Sequence, residues 1–202
     1  MKYLNYQNFG FSFSTTYSKG NFQKHSLLII FLIHFFPMSS AQCDKLISIK
    51  KDDVLGKLVV DSKQPIWVLN FQKNKGFKFE FNGDDPQEEV KFMEPTIDIT
   101  VFGGGECIDD DAKINILFSD TTRIELSSWA KFNCDKWARI KHVRSWDWEK
   151  DEIKSLATKE IKTVRIETYK NIIEMNFSKT QSQIFRNTYS CLLKSIEYAI
   201  PD

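Results

Sequence analysis

The sequence predicts an α+β domain: mainly antiparallel β-sheet, with a short helix and a long C-terminal helix packed on it. Three observations carry this. Apolar and polar residues alternate with period two in short runs between residue 57 and about 144. Tight turn signals, not helices, separate those runs, which argues for antiparallel pairing rather than βαβ units. The last third changes to helical spacing behind a capping box.

The first 41 residues differ in kind from the rest. They hold Lys2, Lys19 and Lys24 and no acid, then an apolar run from Leu27 to Phe36 broken only by His34. Small residues follow, with Ser39 and Ala41 at the −3 and −1 positions of a cut after Ala41. A basic start, an apolar stretch of about ten residues and a small-residue site make a secretory signal peptide over residues 1–41. The stretch is short of the roughly 20 residues that span a bilayer. Cys43 just beyond the cut leaves lipidation open, although Gln42 is a poor residue to precede a lipidated cysteine; an uncleaved anchor is the other alternative. The expected mature chain, 42–202, is a single disulfide-stapled domain. Without the three leader lysines it carries 25 Lys+Arg against 27 Asp+Glu, a net charge of −2. That balance excludes a strongly basic nucleic-acid binder and makes nucleic acid an unlikely partner. A chain of this length can bury an independent core.

Along the mature chain, Ile66 to Leu69 is an apolar run, with Phe71 beyond Asn70. Phe77, Phe79 and Phe81 alternate with Lys78 and Glu80 as in a half-buried strand, and Asn82-Gly83-Asp84-Asp85-Pro86 marks a turn. Ile97, Ile99 and Val101 alternate with Asp98 and Thr100 until Gly103-Gly104-Gly105 stops the strand. Ala112–Phe118 and Thr122–Ser127 read as a hairpin around Asp120-Thr121. Asp151 to Thr158 is a short helix, Glu160–Thr168 a strand and Asn171–Phe177 its hairpin partner. Ser178 and Gln181 then form a capping box that opens the longest helix, to about Ala199. Its apolar face is Ile184, Phe185, Thr188, Cys191, Leu192, Ile196 and Ala199.

All four cysteines lie beyond the cut, and an even number in an exported chain points to disulfides rather than buried thiols. In a regular hairpin, opposed positions sum to a constant. Centring on Asp120–Thr121 gives 241, which is also the sum for Cys107 and Cys134. Cys43 and Cys191 are left as the second pair. In the chain-entropy model the two closures contribute roughly 3–4 and 5 kcal/mol.

Catalytic signatures are missing. Gly103-Gly104-Gly105 lacks the Gly-Lys-Ser/Thr of a phosphate loop, and neither G-x-S-x-G nor H-E-x-x-H occurs. Glu106 with Asp109, Asp110 and Asp111 gives four carboxylates in six residues, but not at EF-hand spacing. A carboxylate-dependent hydrolase is therefore the second reading, and a solvated acidic hairpin end the plainer one. With one histidine and no C-x-x-C in the mature chain, neither a metal site nor a cofactor is expected. The most unusual stretch runs from Trp129 to Trp148. It interleaves Trp129, Trp137, Trp146 and Trp148 with Lys131, Lys136, Arg139, Lys141, His142 and Arg144. Exposed tryptophan beside cations stacks on sugars or anchors protein partners; buried tryptophan simply fills a core. Trp137, Arg139, Arg144, Trp146 and Trp148 are the candidate binding residues, for a glycan or a protein ligand.

From about Gly105 to Leu192 the chain resembles a family of small exported proteins of Bacteroidetes bacteria. Cys107-Ile108-Asp109, Ile116-Leu117-Phe118 with Asp120, Arg123-Ile124-Glu125-Leu126, Phe132-Asn133-Cys134, Leu156, Lys159 to Arg165, Phe185 with Asn187, and Cys191-Leu192 carry the resemblance. It implies export and no particular activity. It also leads one to expect Asp-Gly at the hairpin turn, where this chain has Asp120-Thr121. Threonine resists positive φ, so a two-residue type I′ turn is disfavoured and the register is free to slip by one. The resulting expectation is an exported, non-enzymatic binding or interaction module of the periplasm or cell envelope, with a passive structural component of an envelope assembly as a further alternative.

Overall fold

A computed structural model describes residues 40–54, 58–84, 93–103, 107–141 and 150–198. Ten strands among these residues fall into two antiparallel sheets. The larger runs β1 (Ile47–Lys51), β2 (Leu58–Ser62), β4 (Gly76–Asp84), β5 (Glu94–Phe102) and β8 (Trp137–Lys141), with β3 (Ile66–Leu69) also pairing β4. β2 and β3 pair successive stretches of the same edge of β4, with Lys63 to Pro65 interrupting them. Pro65 has no N–H to offer a ladder, so a break in pairing is a suitable place for it. The smaller sheet is ordered β10 (Ile172–Asn176), β9 (Ile161–Glu167), β6 (Lys113–Phe118), β7 (Arg123–Ser127).

Among the described residues three helices accompany the sheets: α1 (Ser40–Leu46), α2 (Lys150–Thr158) and α3 (Lys179–Tyr198). The expected fold class is therefore observed, with α1 and β1 additional to it. The alternation on β4 and β5 does what its period requires. Phe77, Phe79 and Phe81 lie opposite Val101, Ile99 and Ile97, and all six are buried. α3 covers these phenylalanines, with the Phe185 ring 5.6 Å from Phe79 and 5.0 Å from Phe81, in edge-on contacts. The same core takes in Ile114, Ile116, Phe118, Val164 and Ile166 from the smaller sheet and Leu156 from α2.

Three expectations are corrected. Asn82, Gly83 and Asp84 are not a turn: β4 runs through them. A Cβ on Gly83 would stand 3.1 Å from Val60 and 3.4 Å from Ile196, so this glycine serves close approach rather than reversal. Ile184 is not on the buried face of α3 but 42% exposed, whereas Phe185, Thr188, Cys191, Leu192 and Ile196 are buried as expected. The β6–β7 hairpin pairs Ile114 with Leu126 and Ile116 with Ile124, so its constant is 240, one less than expected. Its loop holds three residues, Ser119 to Thr121, closed by Phe118 N–H to Thr122 O at 2.9 Å, and Thr121 takes φ 69°. A left-handed third residue is what a three-residue hairpin loop demands.

Both disulfides are present as paired in the sequence reading. Cys43–Cys191 ties α1 to the buried face of α3, and with Sγ so engaged Cys43 has no thiol to lipidate. Cys107–Cys134 flanks an isolated bridge, Ile108 to Asn133, whose positions sum to 241. Between that bridge and the hairpin, residues 109–111 face 129–132, three against four, and this makes the one-residue shift. The pairing was right although the hairpin register it was read from was not. Among the described residues, no helix is long and apolar enough to cross a membrane, a statement that does not bear on β-barrels.

Candidate functional site: a loop end rich in exposed aromatics

One end of the molecule is built from four linked loops. The β3–β4 turn, residues 70–75, packs on Gly103, where a Cβ would meet the Asn74 carbonyl oxygen at 1.9 Å. Val101 N–H donates to Lys136 O at 2.7 Å, which joins the end of β5 to the loop before β8. Ile108 and Asn133 exchange backbone hydrogen bonds at 2.8 and 3.0 Å beside the Cys107–Cys134 disulfide. Tyr169 N–H, in the β9–β10 turn, donates to Cys107 O at 3.0 Å and brings in the smaller sheet. Lys73, Gly76, Gly103, Asp111 and Lys136 all take positive φ here. For Lys73, Asp111 and Lys136 this conformation carries strain, so their loops are held in specific shapes.

Large aromatics stand on these loops. Phe71 is fully exposed, and Tyr169, Trp129 and Phe132 are 61%, 57% and 52% exposed. A scattered exposed apolar residue is ordinary; four on linked loops are not. The Phe71 turn is closed by hydrogen bonds of its own asparagines. Asn70 Oδ1 accepts the N–H groups of Asn74 and Lys75 at 3.0 and 3.2 Å, and Asn70 Nδ2 donates to Asn74 Oδ1 at 2.8 Å. The Tyr169 turn is closed similarly: Thr168 N–H and Oγ1 both donate to Asn171 O, at 2.8 and 2.9 Å. Phe132 is held through its N–H, which the Asp110 carboxylate accepts. Asp109 Oδ1 accepts the Asp110 N–H. These two carboxylates thus serve loop structure; Glu106 lies outside the described residues.

The outer face of the larger sheet adjoins this end. Register places Trp67, Lys78, Thr100 and Trp137 in one row across four strands. In the next row towards the loops, Phe102 lies opposite Gly76, and the Trp67 and Phe102 rings meet at 5.2 Å across that side-chain-free position. Covering a strand glycine with aromatics is a structural service, so this pair has a packing reason to exist. Two of the candidate residues, Trp137 and Arg139, lie together. The Arg139 guanidinium lies 5.3 Å from the Trp137 ring centroid and grips Asp98 through Nε and Nη2 at 2.6 and 2.8 Å. Asn82 Nδ2 donates to the same carboxylate at 3.0 Å. On the same face, burial raises the Asp61 carboxyl above its usual range, against the attraction of Lys50. Trp129 is attached at the sheet edge by its N–H to Arg139 O, 2.7 Å. Arg144, Trp146 and Trp148 lie outside the described residues.

Phe71, Phe132 and Tyr169 were not singled out as binding residues from sequence, yet a signal existed. A large aromatic inside a polar turn such as Asn70-Phe71-Gln72-Lys73-Asn74-Lys75 has no core position to fill. Tyr169-Lys170-Asn171 between two strands is the same case. No family model, curated protein or solved structure matches the chain.

Proposed function

We propose that the chain is an exported, non-enzymatic binding module of the periplasm or cell envelope, with the aromatic loop end as its contact surface. The observation that carries the reading is Phe71, fully exposed at the apex of a turn fixed by its own asparagines. Holding an apolar side chain in water on a hydrogen-bonded turn makes sense as an anchor whose ordering cost is met before binding. Trp137 and Arg139 flank this surface on the sheet. Two disulfides fit an oxidising compartment, and the signal-like leader and the resemblance to exported Bacteroidetes proteins support export.

The test is the variant Phe71→Ser/Phe132→Ser/Tyr169→Ser, expressed with its own leader. Because all three side chains are exposed, its thermal midpoint should match the parent within a few degrees. The parent is expected in the envelope fraction after cell fractionation and the variant in the soluble fraction. Equal distribution of the two overturns the reading.

A further inference from the structure

We infer that the loop end docks on a lipid surface, with Phe71, Phe132 and Tyr169 entering the interfacial layer and neighbouring lysines meeting anionic headgroups. The inference rests on the reading of this end as the contact surface and names its partner.

Phe71 is flanked by Lys73 and Lys75, Phe132 by Lys131 and, before β8, Lys136, and Tyr169 by Lys170. The Lys170 ammonium lies 5.9 Å from the Tyr169 ring centroid, so cation and ring are presented together. Aromatic rings beside lysines suit the boundary between hydrocarbon and headgroups. The rings take the apolar side, and the lysine stems lie along it while their ammonium groups stay in water. The layout favours lipid over a folded partner. Each aromatic stands on its own loop with a lysine beside it, a pairing of ring and cation that the headgroup boundary takes without matched shape.

The same end carries Asp109, Asp110, Asp111 and Asp135, the first three on the loop that holds the Phe132 segment. These acids offset most of the lysine charge. Ring insertion must therefore supply most of the attraction, with the lysines adding selectivity for anionic lipid.

The chain as recovered from cells, with both disulfides intact, would be co-sedimented with vesicles of phosphatidylethanolamine and phosphatidylglycerol at 3:1, and with pure phosphatidylcholine. Binding to the first is expected to exceed binding to the second severalfold. Phe71→Ser should cut vesicle affinity about tenfold, in keeping with the loss of one buried aromatic. Lys73→Gln/Lys75→Gln/Lys170→Gln should remove the preference for anionic lipid, and Asp109→Asn/Asp111→Asn should strengthen binding. Thermal midpoints of all variants separate these effects from misfolding, since the lysine and aspartate variants test the interface without touching an apolar residue. Failure of the parent to sediment with either vesicle, or equal sedimentation by Phe71→Ser, overturns the lipid assignment. If the parent ignores vesicles while the triple aromatic variant still leaves the envelope fraction, the contact surface stands and its occupant is a protein.

Discussion

Asp120 shows how one exposed side chain can be tied tightly by its neighbours. Its Oδ1 accepts from the side-chain hydroxyl and backbone N–H of Thr122, and its Oδ2 lies 3.1 Å from Lys159 Nζ. Together these donors, the Thr122 hydroxyl first, lower its pKa from 3.8 to about 2. A depressed folded-state pKa contributes stability at pH values above the unfolded value, and that contribution is lost as pH falls from 3.8 through about 2. Asp120→Asn is therefore expected to be less stable than the parent at pH 6 and to draw level with it as pH falls below about 2, compared through urea midpoints. The effect should be small, because solvent screens an exposed pair. At this scale the sequence was only partly legible. Asp120 was visible as a turn residue, but Lys159 reaches it across 39 positions, a distance no local pattern encodes. Trp137 and Arg139 stood out in the sequence as a tryptophan near a cation, whereas the Asp98 that grips Arg139 lies 41 positions away.

The β6–β7 hairpin is where local preference and tertiary demand part. Threonine at φ 69° is unfavourable, since left-handed backbone costs an L residue about 1–2 kcal/mol. The strain is held by what surrounds it: Thr122 and Asp120 on one side of the turn, and Ser119 N–H on Glu160 O at 2.8 Å on the other. Thr121→Gly is expected to raise stability by up to about 1 kcal/mol, the relieved strain less the extra backbone entropy glycine loses on folding. Urea unfolding with unchanged m-value would check it; a loss of stability would mean that the threonine side chain is worth more than its strain. Where an element's chemistry is local, the reading was good. Ser178 N–H donates to Gln181 Oε1 at 2.8 Å and Gln181 N–H to Ser178 Oγ at 3.2 Å, the reciprocal box expected at the start of α3. That Gln181 also donates to Trp67 O at 2.7 Å, pinning the helix start to β3, was beyond reach. β1 was missed because only Ile47 of its five residues is buried, which leaves almost no alternation to read.

For the whole molecule, the two disulfides close loops of very different size, with separations of 148 and 27 residues. Loop-closure entropy makes the first the larger stabiliser, at roughly 5 kcal/mol against 3–4. Cys43→Ala/Cys191→Ala should therefore lower the thermal midpoint more than Cys107→Ala/Cys134→Ala, in paired calorimetric scans. The reverse order would show that anchoring the loop end matters more than tethering α1. Antiparallel sheet with a covering C-terminal helix could be foreseen from alternation and the C-terminal stripe; its division into two sheets could not. How four loops converge could not, because strand order alone decides it. The connectivity also has a consequence for biogenesis. The first cysteine pairs with the last and the second with the third, so the bridges are nested. In a chain emerging from its N-terminus, Cys43 waits through the appearance of Cys107 and Cys134 before its partner exists. Oxidation in order of appearance would join Cys43 to Cys107 and leave Cys134 for Cys191, a crosslinked species in which neither native pair can form. The native pairs form directly only if Cys107 meets Cys134 before it meets Cys43; otherwise the bonds must be reshuffled afterwards.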